Sequence, residues 1–262
     1  MIAFLVPVKS AKLSSDWKAF SRLIERTLKS ICNQTDANFK VIVACHELPE
    51  ITYTNDKINY VQVDFNPPTL VKDDWDKNRE LKETDKSNKI LAAYEKAKLF
   101  DPKYVMVVDA DDCISNGIAS YVNKNKKDSS GWYINKGYYY KEGANYLFLN
   151  KKTFNNLCGS CIIIKTKLLP QLFEERPWLY YYHELKELKD GTKLQALPFI
   201  GALYSMANGE NHFMSTEHAS KLIKKTNFSV REFISSLYRK LMKYRLRPMT
   251  KKFKKNFHFY HV

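Results

Sequence analysis

The chain has 262 residues, of which 44% are hydrophobic and 14% aromatic, a composition that suits one large globular domain with a sizeable core. Its formal net charge of +15 is uneven, because residues 220–262 hold thirteen Lys and Arg against one acid, Glu232. No apolar stretch reaches the about 18 residues of a membrane-spanning helix, which argues against an integral membrane protein.

The amino terminus and the cysteines both predict a chain that stays in the cytoplasm. Residues 1–8 lack the basic segment and cleavage site of a secretory signal and are typical of a first strand. Five cysteines, an odd number, fit a reducing compartment. Cys158 and Cys161 form a lone Cys-x-x-Cys without a second zinc-spaced pair, so we expect ordinary buried thiols rather than a zinc or redox site.

Strands and helices alternate over the first 112 residues. The predicted strands are Ile2–Val8, Phe39–Cys45, Ile58–Val63 and Val105–Val108, and the predicted helices are Trp17–Cys32 and Asp85–Leu99. Residues 67–84 are polar and charged, which predicts a mobile or ligand-contacting loop. This order is typical of an α/β fold, in which right-handed crossovers give a largely parallel sheet.

The second half has shorter predicted elements. Strands are predicted at Trp132–Tyr140, Tyr146–Phe148, Cys161–Lys165 and Leu194–Leu203, and helices at Ser115–Lys124, Leu168–Glu174, Glu184–Lys189 and Ser229–Tyr244. Pro198 predicts an irregular or edge strand. We expect a main domain over residues 1–219, with halves 1–112 and 113–219, and a basic helical tail over residues 220–262.

The most informative stretch is Val105–Asp112. Four apolar residues, typical of a strand buried on both faces, are followed by three carboxylates, Asp109, Asp111 and Asp112. Burying carboxylates without partners is costly, and a divalent cation held by oxygen ligands would offset that cost. The carboxyl end of a parallel strand is also where open α/β sheets bind ligands. The alternatives are an acidic turn or a helix N-cap from Asp111 or Asp112.

Several segments, in order, resemble family 2 glycosyltransferases, which have the GT-A nucleotide-sugar-binding fold. Pro7-Val8 resembles the end of the family's first strand, and Thr27–Val43 its helix ending in Ser-Ile-x-x-Gln-Thr and the next strand. Asp85–Lys89 and Val105–Asp112 resemble its basic helix entry and its strand ending in Asp-x-Asp-Asp. The resemblance covers roughly residues 1–215 and implies a mostly parallel central sheet flanked by helices.

The resemblance also implies a site for a nucleoside diphosphate sugar. Asp111 would be a direct ligand of Mn²⁺ or Mg²⁺, Asp109 would contact the ribose or a metal-bound water, and His212 would be a third ligand, with His218 as runner-up. The implied donor-binding residues are Pro7, Val8, His46, Glu47, Lys86, Lys89, Asp109 and Ala110. A UDP-sugar is favoured, although His46-Glu47 departs from the family's acidic pair. A solvated basic face is the alternative for the two lysines.

Glycosyl transfer needs a base for the proton of the acceptor hydroxyl. Inverting family members carry a Glu-Asp pair before a helix, and His183-Glu184 stands in a similar context. The resemblance therefore implies Glu184 as the base, with His183 as its neighbour or substitute. The alternative is that Glu184 is an acid favoured by a helix amino terminus.

The tail offers a basic amphipathic helix. Apolar residues of Val230–Tyr244 fall on one helical face and basic residues lie largely off it, a pattern typical of helices on anionic membranes. The alternatives are docking on the chain's own core or on a second subunit. No nucleic-acid motif accompanies the charge, so no nucleic-acid partner is expected.

Together these patterns predict a metal-dependent, inverting glycosyltransferase. It would move a sugar to a glycan or lipid-linked acceptor in cell-surface polysaccharide or lipopolysaccharide synthesis, as a cytoplasmic enzyme peripheral to the inner face of the membrane. The alternative is a non-catalytic protein of the same fold that acts as a membrane-associated assembly partner.

Overall fold

The computed structural model describes residues 1–125, 128–175, 178–209 and 245–262. The strands are β1 (Ile2–Pro7), β2 (Phe39–Cys45), β3 (Ile58–Gln62), β4 (Tyr104–Val107), β5 (Cys113–Ile114), β6 (Gly131–Tyr133), β7 (Gly137–Lys141), β8 (Tyr146–Asn150), β9 (Ile162–Lys165), β10 (Phe173–Glu175), β11 (Leu179–Tyr181), β12 (Gln195–Ala196), β13 (Ala202–Met206) and β14 (Arg245–Pro248). The α-helices are α1 (Trp17–Cys32), α2 (Trp75–Lys98), α3 (Ile118–Lys124) and α4 (Lys251–Phe257). In these segments no helix is long and apolar enough to cross a membrane.

The central sheet has seven strands in the order β12-β6-β9-β4-β1-β2-β3. Strands β3, β2, β1 and β4 are parallel neighbours. Strand β9 is antiparallel to both β4 and β6, so β6 and its parallel partner β12 run in the same direction as β4. The chain runs from β1 to β2, its neighbour on one side, and β4 is the neighbour of β1 on the other side. The expected mostly parallel α/β sheet flanked by helices is confirmed, and its ligand-binding switch point lies between β1 and β4.

Continuous burial explains why these strands form the centre. Every residue of β1 and β4 is buried, as parallel strands covered on both faces require. Helix α1 begins where the Asp16 carboxylate accepts a 2.8 Å hydrogen bond from the Ala19 N–H. It buries one apolar face, which includes Phe20, Ile24 and Leu28. Helix α2 packs against β1 and β2 and lines one side of the switch point.

A second sheet has five strands in the order β14-β8-β7-β13-β5. Its edge strand β5 comes next after β4 along the chain. Strand β5 follows the acidic turn directly and pairs with β13. Strand β14 pairs with β8, and α4 buries Phe253 and Phe257 in an apolar cluster with Tyr140. Residues 245–262 are thus part of this layer, whereas the predicted helix Ser229–Tyr244 lies outside the described residues.

One helix boundary was wrong at the sequence level. Helix α2 begins at Trp75, ten residues before the predicted start at Asp85. Its start is fixed by Asp74, whose carboxylate accepts a 2.9 Å hydrogen bond from the Lys77 N–H. The first turns are polar because they face solvent and the cleft rather than the core, so apolar periodicity did not reveal them.

Other corrections concern long predicted segments that the structure divides. Trp132–Tyr140 contains β6 and β7, which belong to different sheets, and Leu194–Leu203 contains β12 and the start of β13, with Pro198 between them. Leu168–Glu174 is a 3₁₀-helix, Thr166–Leu172, followed by β10. The predicted helix Glu184–Lys189 is not formed. That segment is a turn closed by an isolated bridge between Glu187 and Lys193, with Gly191 at φ +80° in the left-handed region.

A buried arginine joins the two sheets to the chain's end. Arg26 of α1 is fully buried and donates two 3.0 Å hydrogen bonds to the Glu142 carboxylate. It also donates to the Ser205 hydroxyl at 3.2 Å and to the Tyr260 carbonyl at 3.4 Å. A bidentate pair of an arginine and a carboxylate is strong and directional, so it fixes how the two groups are oriented.

Replacing Arg26 tests this junction. We expect Arg26→Met to lower the free energy of unfolding by about 3–5 kcal/mol, because it leaves the Glu142 carboxylate without its charged partner. The double variant Arg26→Met/Glu142→Leu should lose less than the two single losses added together. Urea denaturation followed by circular dichroism measures both. A loss below about 1 kcal/mol for the single variant, as is usual for an exposed pair, would contradict the account.

Candidate active site

A cleft opens at the carboxyl ends of β1 and β4. Its walls come from the end of β1, helix α2, the acidic turn after β4, the segment before β9, strand β11 and strand β13. The lining residues are Pro7, Lys9, Leu13, Phe20, Lys82, Glu83, Asp85, Lys86, Lys89, Asp109, Ala110, Asp111, Leu157, Gly159, Tyr180, Tyr181, His183 and Tyr204. The structure therefore brings both ends of the predicted site, the acidic turn and the His183 segment, into one cavity.

The Asp109 carboxylate is held by a lysine of α2. The Asp109 Oδ1 lies 2.6 Å from the Lys86 Nζ, and the Asp109 N–H donates to the Ser160 hydroxyl at 2.8 Å. Burial lowers the pKa of Lys86, but the charges of Asp109 and Glu83 more than offset it, so the pKa lies above its usual value. Lys86 therefore stays cationic beside the acidic turn.

The Asp111 carboxylate is held by an amide of the segment after β13 and has a raised pKa. Burial and the nearby charge of Asp109 raise its pKa, while a hydrogen bond from Asn208 and the charge of Lys9 act in the opposite direction. The Asn208 amide donates at 2.7 Å. A cation placed here would be stabilised electrostatically, and carboxylate oxygens suit Mg²⁺ or Mn²⁺.

The donor type thus fits a divalent cation, with two carboxylates facing the cleft. In the part of the chain that the structure describes, no group of three His, Cys, Asp or Glu side chains is arranged to hold a metal. His212, the third ligand that the resemblance implies, and His218 both lie in residues 210–244, outside the described ranges.

Asp112 has a different position from its two neighbours. It is fully buried and accepts hydrogen bonds from the Ser160 hydroxyl at 2.7 Å, the Cys158 thiol at 3.4 Å and the Ser205 N–H at 3.1 Å. Burial, then the charges of Asp111 and Asp109, raise its pKa well above the usual value. Helix α3 has Gly117 at its N-cap without a side-chain hydrogen bond, so the alternative that Asp112 caps this helix is wrong.

The segment Cys158–Cys161 packs against the acidic turn. Both thiols are buried and free, and burial raises the pKa of each well above its usual value, as predicted for structural cysteines. Gly159 lies against Asp109 so closely that a Cβ there would collide with the carboxylate and stand 3.0 Å from the Lys86 Nζ. The glycine is therefore required for the contact between this segment and the Lys86 and Asp109 pair.

The predicted donor residues near β2 are held by the protein itself. The Glu47 carboxylate accepts from the Ser10 hydroxyl and the Ala11 N–H, both at 2.9 Å, and so closes the loop after β1. The His46 Nε2 lies 2.8 Å from the Phe65 carbonyl oxygen and 4.0 Å from the Asp85 carboxylate.

Of the predicted donor set, Pro7, Lys86, Lys89, Asp109 and Ala110 line the cleft, while Val8, His46 and Glu47 lie outside its lining. Lys89 is fully buried and pairs with Asp85 at 2.7 Å. Burial lowers the pKa of Lys89, and Asp85 acts in the opposite direction. The solvated basic face considered for Lys89 is therefore wrong.

His183 faces the cleft, and Glu184 lies beside it. The His183 Nδ1 is 3.2 Å from the Asn155 carbonyl oxygen and 3.6 Å from the Glu184 Oε2. Burial and the charge of Lys86 lower the pKa of His183, against the opposing charges of Glu184 and Asp109. The Glu184 side chain is 45% exposed and precedes a turn, so the alternative of a helix amino-terminal acid is wrong.

Several lining residues were missed at the sequence level. Lys82 and Glu83 lie in the turns of α2 that were predicted as loop, and Lys9 follows the first strand directly. Burial raises the pKa of Glu83, with the charge of Lys86 acting against it. The signal that would have revealed Lys82 is its spacing of four residues before Lys86, which places both on one helical face.

Comparisons with known proteins give only weak similarities. No family model matches the sequence, and no curated protein matches it. The solved structures similar to it include residues 1–349 of S. aureus TarS in complex with UDP-GlcNAc, at 15% identity and a TM-score of 0.49, covering 82% of this chain and 61% of that one. The TarS complex with UDP has 14% identity and a TM-score of 0.44, covering 78% and 60%.

A third similar structure is the 2-C-methyl-D-erythritol 4-phosphate cytidylyltransferase (IspD) of Francisella tularensis. It has 11% identity and a TM-score of 0.39, covering 86% of this chain and 100% of that one. The chain spans about 61% of the length of the TarS chain bound to UDP-GlcNAc. Similarities at this level carry no functional argument, which rests on the geometry of the cleft.

Substituting Gly159 tests the packing of the acidic turn. We expect Gly159→Ala to destabilise the fold by about 1–3 kcal/mol, because the added methyl group must displace the Asp109 carboxylate. Gly117→Ala is the matched control, since its nearest heavy atom would be 3.7 Å away, an ordinary contact. Equal urea midpoints for the two variants would show that the turn is not packed as described.

Proposed function

We propose that this protein is a glycosyltransferase that uses a nucleoside diphosphate sugar. The observation that carries the proposal is the pairing, in one cleft at the switch point, of the Asp109 and Asp111 carboxylates with a lysine-rich face of α2. Acidic and basic groups together suit a ligand that needs a cation on one side of a diphosphate and positive side chains on the other. The sequence resemblance favours a UDP-sugar.

Asp111 and Asp109 are the residues that would hold Mg²⁺ or Mn²⁺, with His212 as the proposed third ligand. When bound, the metal supplies a Lewis acid for the charge that develops on the diphosphate. The protein's own part is to aim the two carboxylates. Lys86 and Ser160 fix Asp109, and Asn208 fixes Asp111.

The reaction is proposed as a single, inverting displacement. The acceptor hydroxyl oxygen forms a bond to the anomeric carbon as the bond from that carbon to the phosphate oxygen breaks, and the electron pair leaves with the diphosphate. The hydroxyl proton passes to the His183 imidazole, which lines the cleft. The ring is held by the Asn155 carbonyl oxygen, 3.2 Å from the His183 Nδ1. Glu184, the base implied by the resemblance, lies on the same side at 3.6 Å, and its negative charge favours the imidazolium that forms.

The charged tail supports a proposal for the acceptor and the cellular site. We propose a glycan or lipid-linked acceptor in cell-surface polysaccharide or lipopolysaccharide synthesis, at an anionic membrane surface on the cytoplasmic side. The described end of the tail supports this, because Lys251, Lys252, Lys254 and Lys255 are exposed on α4 while its phenylalanines are buried. Each basic residue near such a surface adds roughly 1 kcal/mol of attraction.

Substituting Asp111 tests the metal-dependent transfer. We expect Asp111→Asn to lower sugar transfer in Mn²⁺ by at least about 100-fold with the fold retained, because one ligand charge is lost. Transfer and donor hydrolysis are measured over a panel of nucleoside diphosphate sugars, with Mn²⁺ and with chelator. Asp56→Asn, whose side chain is 82% exposed, is the control. Unchanged turnover by Asp111→Asn would remove this residue from the mechanism, and no turnover of any donor by the wild type would contradict the proposed function.

The pH dependence of turnover tests His183. A lowered pKa keeps its imidazole neutral at pH 7, and only the neutral form accepts a proton. We therefore expect kcat/KM to be constant near pH 7 and to fall about tenfold per pH unit once the pH drops below that pKa, which lies under the model-peptide value of about 6.5.

We expect His183→Gln to lower kcat by about 100-fold or more. The fall of kcat/KM at acidic pH should also disappear in this variant. Circular dichroism checks that the variant is folded. If the variant keeps the wild-type kcat and the wild-type fall of kcat/KM at acidic pH, a group other than His183 accepts the proton.

A further inference from the structure

Two lysines of the cleft, Lys9 and Lys82, have no individual role in the steps above. Lys9 follows the carboxyl end of β1, and Lys82 lies one helical turn before Lys86 on α2. Helix α2 thus presents Lys82, Lys86 and Lys89 to one cavity, at spacings of four and three residues, which place them on one face. Lys86 is paired with Asp109 at 2.6 Å and Lys89 with Asp85 at 2.7 Å.

The surroundings of Lys82 differ from those of the other two lysines of α2. Within the described ranges Lys82 makes no ion pair, and its pKa is lowered by burial and by the like charge of Lys9. Lys9 lies over the Phe20 ring, with its Nζ 4.6 Å from the ring centroid, and its charge also acts on Asp111. Lys9 and Lys82 thus bring two positive charges to one cleft, where a ligand with at least two negative charges would accept a charge-assisted hydrogen bond from each.

We propose that Lys9 and Lys82 form a diphosphate-binding pair in the cleft that the acidic turn also lines. This inference rests on the proposed function and adds positioning residues to it. The pair binds the diphosphate of the donor and stabilises the charge that the diphosphate gains when its bond to the anomeric carbon breaks. Neither lysine gives up a proton in the step, so the proton of the acceptor hydroxyl still passes to His183.

Calorimetric titration of the full chain with inorganic pyrophosphate and with UDP, in chelator, tests the pair without any turnover. We expect the double variant Lys9→Gln/Lys82→Gln to bind pyrophosphate at least about tenfold more weakly, because two charge-assisted hydrogen bonds are lost. Lys98→Gln, on the same helix and paired with Glu95 in solvent, should bind as the wild type does. Circular dichroism and the melting temperature check that each variant is folded.

The outcomes separate this inference from the proposed function. Pyrophosphate affinity in the double variant equal to that of the wild type, or no binding by the wild type, overturns the pair. If the double variant also transfers sugar at the wild-type kcat/KM, the proposed function survives without the pair. If the variant loses affinity as expected while the wild type transfers no sugar from any donor, the pair is supported and the glycosyltransferase proposal fails.

Discussion

Mutual repulsion among three carboxylates in four residues is the constraint on which the rest of the site depends. The end of β4 delivers Asp109, Asp111 and Asp112 to one place, and each is balanced differently. Asp109 has a lysine at 2.6 Å, Asp111 has an amide donor at 2.7 Å, and Asp112 is buried among hydrogen-bond donors. Of the two that face the cleft, Asp111 is held by a neutral amide and Asp109 by an ammonium group, so a cation would be stabilised at Asp111.

The two sheets meet through the buried member of this group. Ser205 of β13 donates its N–H to Asp112 and its hydroxyl to Glu142, and it accepts a hydrogen bond from Arg26. A chain of polar contacts therefore runs from the acidic turn through the second sheet to the Tyr260 carbonyl near the carboxyl end. Residues 245–262 thus contribute to the scaffold that positions the site, in addition to any role of their exposed basic residues.

The core elements could be predicted because apolar burial is recorded directly in the sequence. Strand β2 and helix α1 have the predicted ends, since continuous apolar runs and one apolar helical face leave few alternatives. The start of α2 and the turn after Glu184 could not be predicted in this way, because both are polar. A helix N-cap at Asp74 and a glycine turn at Gly191 determine them instead.

The residues of the site could be predicted from the sequence only in part, again because polar contacts leave no periodic pattern. The order of Pro7, Gln34, Lys86, Asp109 and Asp111 along the chain carried the family resemblance. The structure brings all of these into the cleft except Gln34, whose side chain is hydrogen-bonded to the backbone of Ser115 and Ala119. The partners of Asp112 lie 46, 48 and 93 residues away in sequence, and a single sequence carries no signal for such pairings. Lys82 was missed because residues 67–84 were predicted as a loop, although helix α2 begins at Trp75. Lys9 was missed because a single lysine after a strand is indistinguishable from a solvated one in the sequence.

The most direct measurement is the anomalous scattering of a crystal of the full chain soaked with Mn²⁺ and UDP. The account predicts a manganese peak bonded to a carboxylate oxygen of Asp111, within about 2.0–2.6 Å as is usual for divalent cations on oxygen ligands, and a diphosphate on its far side. Strong UDP density with no manganese at either Asp109 or Asp111 would contradict it.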